Sequence, residues 1–265
     1  MLRRDRDAFF YMEVASIFGW DRPHCTWSSA LAMRIAIDAG HGPDTPGKRT
    51  PDGAMREYAF NAAVADAVCS MLDVDTVRVD DPTCDVPLVA RVAMAHQAQA
   101  TCYMSIHANA VGTTWNDAQG IETFVSPSAP EGGQALVLAR AVQKHLVAVT
   151  KRRDRGVKRG DLYVLRHTRM PSCLVECGFM THRDEAALLQ SDAYRHQCAR
   201  AIVLALKEVY GVNTTTNTPQ WAIDARAWAM AQGLTDGSDP KGTVTREQMW
   251  AMLQRFAKMQ ERKDG

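Results

Sequence analysis

The sequence predicts an α/β fold, a mostly parallel twisted sheet flanked by helices, with a small helical module at its C-terminal end. Three observations point there. Short apolar runs alternate with longer segments of helical periodicity, as strands joined by crossover helices do. Two of these runs, Ile35–Ile37 and Cys102–Ile106, lead into a histidine set among small residues. Open α/β sheets place their chemistry at such carboxyl ends of strands. The polar stretch 212–219, rich in Thr and Asn, reads as a linker between residues 33–211 and a tail of residues 220–265.

Taken in order, the first strand is Ile35–Ile37, which stops on Gly40-His41-Gly42. A Gly/Pro-rich surface loop, Pro43 to Gly53, follows. Phe60, Val64, Ala67, Val68 and Met71 recur at helical spacing and predict a helix from about Met55 to Leu72. Glu57 and Asn61, four apart, share one face of its first turns. Val74 to Val79 reads as a strand and Val86 to Ala98 as a helix carrying Arg91.

Cys102 to His107 repeats the opening design and runs on into Ala108-Asn109-Ala110. Gly120 to Val125 is another strand, and Gly133 to Val149 is a long amphipathic helix with Leu136, Ala139, Val142 and Leu146 on one side. The basic segment Lys151 to Gly160 leads into the apolar run Leu162–Leu165. Cys173 to Phe179 is the last strand, with Glu176 near its end, and Asp184–Leu189 and Ala193–Tyr210 are the closing helices.

Composition removes several classes of function. With 31 basic and 30 acidic side chains the net charge is +1, which argues for neither nucleic acid nor an anionic membrane as partner. No apolar run approaches the roughly 18 residues of a membrane-inserted helix. Seven cysteines without a CxxC pair are not a disulfide framework, so folding in a reducing compartment is expected. Arg3, Arg4 and Arg6 before Ala8–Met12 imitate a signal peptide. Glu13 interrupts the apolar core, and no small-residue cleavage site precedes Cys25 or Trp27. Residues 1–32 therefore read as an accessory extension or an upstream start ahead of Met33.

Four residues carry candidate chemistry. His41, Glu57 and His107 supply two imidazoles and a carboxylate, the donor count of a hydrolytic zinc site that leaves one position open. Taken alone, the two strand-end histidines also fit general bases, and Glu57 fits a first-turn glutamate facing the helix dipole. Glu176 lies in Leu-Val-Glu-Cys-Gly-Phe, where an acid is costly to bury unless paired or put to use. Beside a metal it suits a general base acting on water. No HExxH pattern occurs.

The ordered set Ile35-Ala-Ile-Asp-Ala-Gly-His41-Gly, Glu57 with Asn61, Ser105-Ile-His107-Ala-Asn-Ala, Gly120-Ile-Glu122 and Leu174-Val-Glu176-Cys-Gly-Phe179 closely resembles the zinc-dependent N-acetylmuramoyl-L-alanine amidases of the Amidase_3 type. The resemblance covers nearly all of Met33 to Gly211. It implies a six-stranded sheet, Zn2+ held by His41, Glu57 and His107, Glu176 as catalytic acid/base, Asn109 as a substrate contact and peptidoglycan as substrate. Thr181-His182 departs from the Ser-Asn often found after Gly-Phe in the family, and the 32-residue extension is a second departure. The loop Pro43–Gly53 and the segment Arg153–Arg159 are candidates for lining the peptide groove, or else ordinary solvated loops.

The tail, with Trp221, Ala225-Arg-Ala-Trp-Ala229, Gly233-Leu-Thr-Asp-Gly237 and Val244-Thr-Arg-Glu-Gln248, resembles a single S-layer homology repeat. That resemblance implies binding of secondary cell-wall polysaccharide through Arg246, whose planar fork suits an anionic sugar. A small helical cap that packs on the catalytic domain or mediates oligomer formation is the other reading. The whole reads as a peptidoglycan amidase made in the cytoplasm and acting at the cell wall, either a phage or prophage endolysin or a host autolysin or sporulation enzyme. A non-catalytic wall-binding protein and a zinc hydrolase of another amide are the competing classes.

Overall fold

The computed structural model describes residues 33–214, 228–230, 232, 234–235 and 246–261. Expectations for residues 1–32 and for most of the tail lie outside them. A six-stranded sheet is formed by β1 (Arg34–Ala39), β2 (Asp75–Arg78), β3 (Cys102–Asn109), β4 (Ile121–Val125), β5 (Asp154–Arg159) and β6 (Ser172–Phe179). Their spatial order is β2-β1-β3-β6-β4-β5. Every neighbouring pair is parallel except β4 with β6. The helices are α1 (Glu57–Met71), α2 (Leu88–Gln97), α3 (Gln134–Thr150), α4 (Tyr163–His167), α5 (Arg183–Gln190), α6 (Asp192–Tyr210) and α7 (Arg246–Glu261).

Side chains alternate across a strand, so register decides what each face offers. One face presents Ile35, Ile37, Cys102, Met104, Ile106, Cys173, Val175 and Ile121, all fully buried in one cluster with residues of α1, α3 and α6. The other face presents Ala36, Tyr103 and Leu174, which form a smaller cluster with Val92 and Ala95 of α2 and Val164 and Leu165 of α4. These two short helices cover only part of it. Toward the carboxyl ends of the central strands the same face turns polar, with Asp38, Ser105, His107, Glu176 and Glu122.

The basic segment, which the sequence left without an element, forms the edge strand β5, and the apolar run after it leads into α4. An edge strand that carries Asp154, Arg155, Lys158 and Arg159 hides from hydrophobic patterning, because charge on an edge is what keeps it from pairing further. The register between β4 and β5 slips by one residue between Ile121 and Thr123, where Gly156 takes φ 80°. This bulge lets Arg155 and Lys158, three apart, reach the same carboxylate. Past α6, Val212 is buried in the large core, Asn213 accepts from the Asp73 amide at 3.0 Å, and Thr214 bridges Leu72.

Candidate metal centre

The site grows out of the turn after β1. His41 has φ 65°, a left-handed conformation uncommon for a residue with a side chain. The turn is clamped from two sides: the Gly40 amide donates to the Ile106 carbonyl at 3.0 Å, and Asn61 Nδ2 donates to the Gly40 carbonyl at 2.9 Å. Glu57 opens α1, with its own amide donating to the Lys48 carbonyl at 2.9 Å. His107 ends the apolar part of β3. Three elements thus deliver three side chains to one point at the carboxyl end of the sheet.

Glu57 lies between the two imidazoles, with Oε2 3.2 Å from His41 Nε2 and Oε1 3.0 Å from His107 Nδ1. The Ala108 amide also donates to Oε1, at 3.2 Å. Burial alone would raise the Glu57 pKa, but its bonds to His107 and His41 hold it well below the usual carboxylate range. His107 shows the converse. Burial opposes charge on its ring, yet Glu57 draws its pKa upward.

A metal fits this donor set. Zinc bonds of about 2.0–2.1 Å in a tetrahedron set ligand atoms about 3.3 Å apart, close to the two spacings around Glu57. Ligand atoms of all three residues lie within 4.8 Å of one another. The carboxylate is buried while both rings keep some exposure, 21% for His41 and 14% for His107, so the donor set is open toward solvent on the side of the rings.

Glu176 stands in register with His107 on one side and with Glu122 on the other, so β3, β6 and β4 place the three in one row on one face. Glu176 Oε2 is buried and has no hydrogen-bond partner among the described residues. Its pKa is pushed above the carboxylate range, first by burial. The Glu57 and Glu122 carboxylates add to this, while His107 and Lys48 act against it. Sequence reasoning gave Glu122 no role. It is 5% exposed and receives Asn109 Nδ2 at 2.7 Å, Arg155 Nε at 2.6 Å and Lys158 Nζ. The signal was there to read: Glu122 is an acid embedded in an apolar strand, as Glu176 is.

Asn109 itself spends one amide hydrogen on Glu122 and its Oδ1 on the Ala110 amide at 2.8 Å. Thr181 and His182, the departure from the family pattern, have structural partners. Thr181 Oγ1 accepts from the Val111 amide, and His182 Nδ1 caps α5 by accepting from the Glu185 amide. A cleft of about 520 Å³ opens beside His41 and His107, walled by Val86, Pro87, Leu88, Leu162, Tyr163 and Leu174. Arg246 begins α7, and its side chain lies outside the described residues.

An α/β sheet with a three-ligand His–Glu–His centre at its carboxyl end, open on one side and flanked by a carboxyl with a free oxygen, defines a zinc hydrolase. The chain belongs to the Amidase_3 family, N-acetylmuramoyl-L-alanine amidase, which matches residues 35–208. The protein YqiI of Bacillus subtilis (strain 168) is 36% identical over 181 residues, 66% of this chain and 84% of that one. The endolysin of Bacillus phage SPP1 is 30% identical over 185 residues, 68% of this chain and 66% of that one. The crystal structure of N-acetylmuramoyl-L-alanine amidase from Clostridium difficile 630 superposes with a TM-score of 0.62 at 31% identity, covering 67% of this chain and 96% of that one. His41, Glu57 and His107 are accordingly the zinc-binding triad of a peptidoglycan amidase.

Proposed function

We propose that the protein hydrolyses the amide between the lactyl group of N-acetylmuramic acid and L-alanine, with Glu176 as its acid/base, and that it serves a phage or prophage as an endolysin. The observation that carries the chemistry is the orphaned, buried Glu176 Oε2 one strand from His107. When bound, zinc supplies Lewis-acid polarisation of the carbonyl and a lowered pKa for the attacking water. Glu176 then takes the proton of that water and passes it to the leaving nitrogen of L-alanine. The products are a lactyl carboxylate on the glycan and a free stem peptide.

The second amide hydrogen of Asn109 and the loops Pro43–Gly53 and Arg153–Arg159 are assigned to the substrate. Lys48, in the first of these loops, acts electrostatically on Glu176, and Arg155 and Lys158 ring the far side of the row. Binding of secondary cell-wall polysaccharide is assigned to Arg246. Exposed Met249, Trp250 and Leu253 on α7 favour a second reading, in which the tail makes an oligomer contact.

The endolysin reading is supported by the phage relative. The sporulation-specific N-acetylmuramoyl-L-alanine amidase of Bacillus subtilis (strain 168), 26% identical over 218 residues, supports the alternative, a host autolysin or sporulation amidase. No described helix is long and apolar enough to cross a membrane.

The test is digestion of purified Gram-positive cell walls with and without a chelator, products being read by mass spectrometry. Stem peptides with a free L-alanine amino terminus, lost on chelation and restored by zinc, are expected. No release from several wall types by zinc-loaded protein would return weight to a wall-binding role, and cleavage of small peptides alone would point to another amide.

A further inference from the structure

Arg91 is the largest fully buried side chain in the described residues, and the hydrolytic reaction has no use for it. A guanidinium has five N–H donors in one plane, and here each has an acceptor. Nε donates to the Val86 carbonyl at 2.9 Å. Nη1 donates to Asp38 Oδ1 at 2.6 Å and to the Ala39 carbonyl at 2.6 Å. Nη2 donates to the His41 carbonyl and to Asp85 Oδ1, the latter at 3.2 Å. Three acceptors belong to the end of β1 and the His41 turn, and two to the segment Asp85–Val86 that walls the cleft.

That distribution matters because the His41 turn is held against backbone preference. An L-residue at φ 65° needs its surroundings to over-determine it. The Ala39 and His41 carbonyls flank that residue and converge on one cation, and the cation is fixed in turn by Asp38, whose second oxygen accepts from Ser105 Oγ at 2.6 Å. Gly42 completes the arrangement, since a β-carbon there would stand 2.4 Å from the Asp85 Cα. The turn and the cleft wall are thus packed against each other, with one guanidinium joining them.

We propose that Arg91 is a positioning residue of the metal centre. It holds His41 in the left-handed conformation that presents Nε2 to Glu57, and it ties that ligand to the wall of the cleft. The proposal rests on the zinc-amidase reading of the site. Lysine keeps the charge but offers three donors from a single nitrogen and cannot span five acceptors.

The test is zinc affinity of folded, metal-free protein by chelator competition, with the visible spectrum of the cobalt-substituted form as a second readout. Arg91→Lys is expected to weaken zinc 10- to 100-fold, the usual range for losing an outer partner of a ligand, and to alter the cobalt bands. Leu146→Ala, in the core on the opposite face, is expected to lower the unfolding midpoint and leave affinity within about twofold. Asp85→Ala removes the Nη2 acceptor at a residue whose side chain is 42% exposed, so it keeps the fold and serves where Arg91→Lys does not. It is expected to weaken zinc a few-fold. Wild-type affinity in both variants overturns the proposal and leaves the amidase reading standing. A wild-type protein that binds no zinc overturns both.

Discussion

Gly40 and His107 are in contact in a way that only glycine permits. A β-carbon on Gly40 would stand 2.0 Å from His107 Cε1 and 2.2 Å from Nε2. Backbone on both sides of Gly40 is tied down, to Ile106 and to Asn61, so the ring and not the turn would have to give way. Gly40→Ala should therefore act as a metal-site mutation. Overpacking of this kind costs about 1–3 kcal/mol, enough to swing His107 out rather than unfold the domain. The variant is expected to purify folded, to bind zinc at least about tenfold more weakly, and to lose activity in step. Bound zinc per chain, measured beside the unfolding midpoint, checks this, and a full complement of zinc would refute it.

Glu57 and Glu176 are both buried carboxylates near His107, yet they should fail differently. Glu57 touches both imidazoles, whereas Glu176 Oε2 has no hydrogen-bond partner among the described residues. Glu57→Gln is expected to lose metal, since two imidazoles alone hold zinc poorly. Glu176→Gln should keep zinc at wild-type affinity while kcat falls by about 10²–10⁴, the range of a general acid/base. Paired zinc titrations and wall-digestion rates separate the two. Normal turnover in Glu176→Gln would remove it from the mechanism.

The fold and the metal centre were legible for physical reasons that do not extend to every part of the chain. His41 just after β1 and His107 near the end of β3 follow runs that are apolar enough to be recognised and are flanked by residues small enough to admit a ligand. Helical spacing put Glu57 and Asn61 on one face, and the family resemblance gave Glu57 its place among the ligands. The strand β5 escaped because its charges suit an edge, and Leu162–Leu165 escaped because a short apolar run fits a buried helical turn as well as a strand. Arg91 was visible only as a charge on a helix. Its importance lies in carbonyls of Ala39, His41 and Val86, which no side-chain pattern reports.

Glu122 should make the protein sensitive to acid. Burial would raise its pKa, but Arg155 and Lys158 overcome that and hold it below the usual range. The folded value lies under the unfolded one, so its stabilisation is fully present above about pH 4.5 and is lost as pH falls through the folded pKa. Arg155 and Lys158 are 27% and 39% exposed, so the pair contributes less than a fully buried one would. Glu122→Gln is expected to cost about 1–3 kcal/mol at pH 7, mostly from cations left without their partner. The difference from wild type should shrink toward pH 3. Urea unfolding at pH 7, 5 and 3.5 measures it, and a gap that widens in acid would contradict the assignment.

Zinc loading should itself depend on pH, over a higher range than at a simple carboxylate site. In the metal-free protein Glu57 is held in its charged form, and it raises the pKa of His107 against the effect of burial. The ring therefore keeps its proton to a higher pH than the ordinary imidazole value of about 6.5. That proton must leave before the nitrogen can ligate, so affinity falls as pH drops below the raised value, by up to about tenfold per pH unit for one released proton. Chelator competition at pH 6, 7 and 8 should show zinc binding still strengthening above the ordinary imidazole value of about 6.5. An affinity already flat from pH 6 upward would mean that the Glu57–His107 contact does not hold a proton in the metal-free protein.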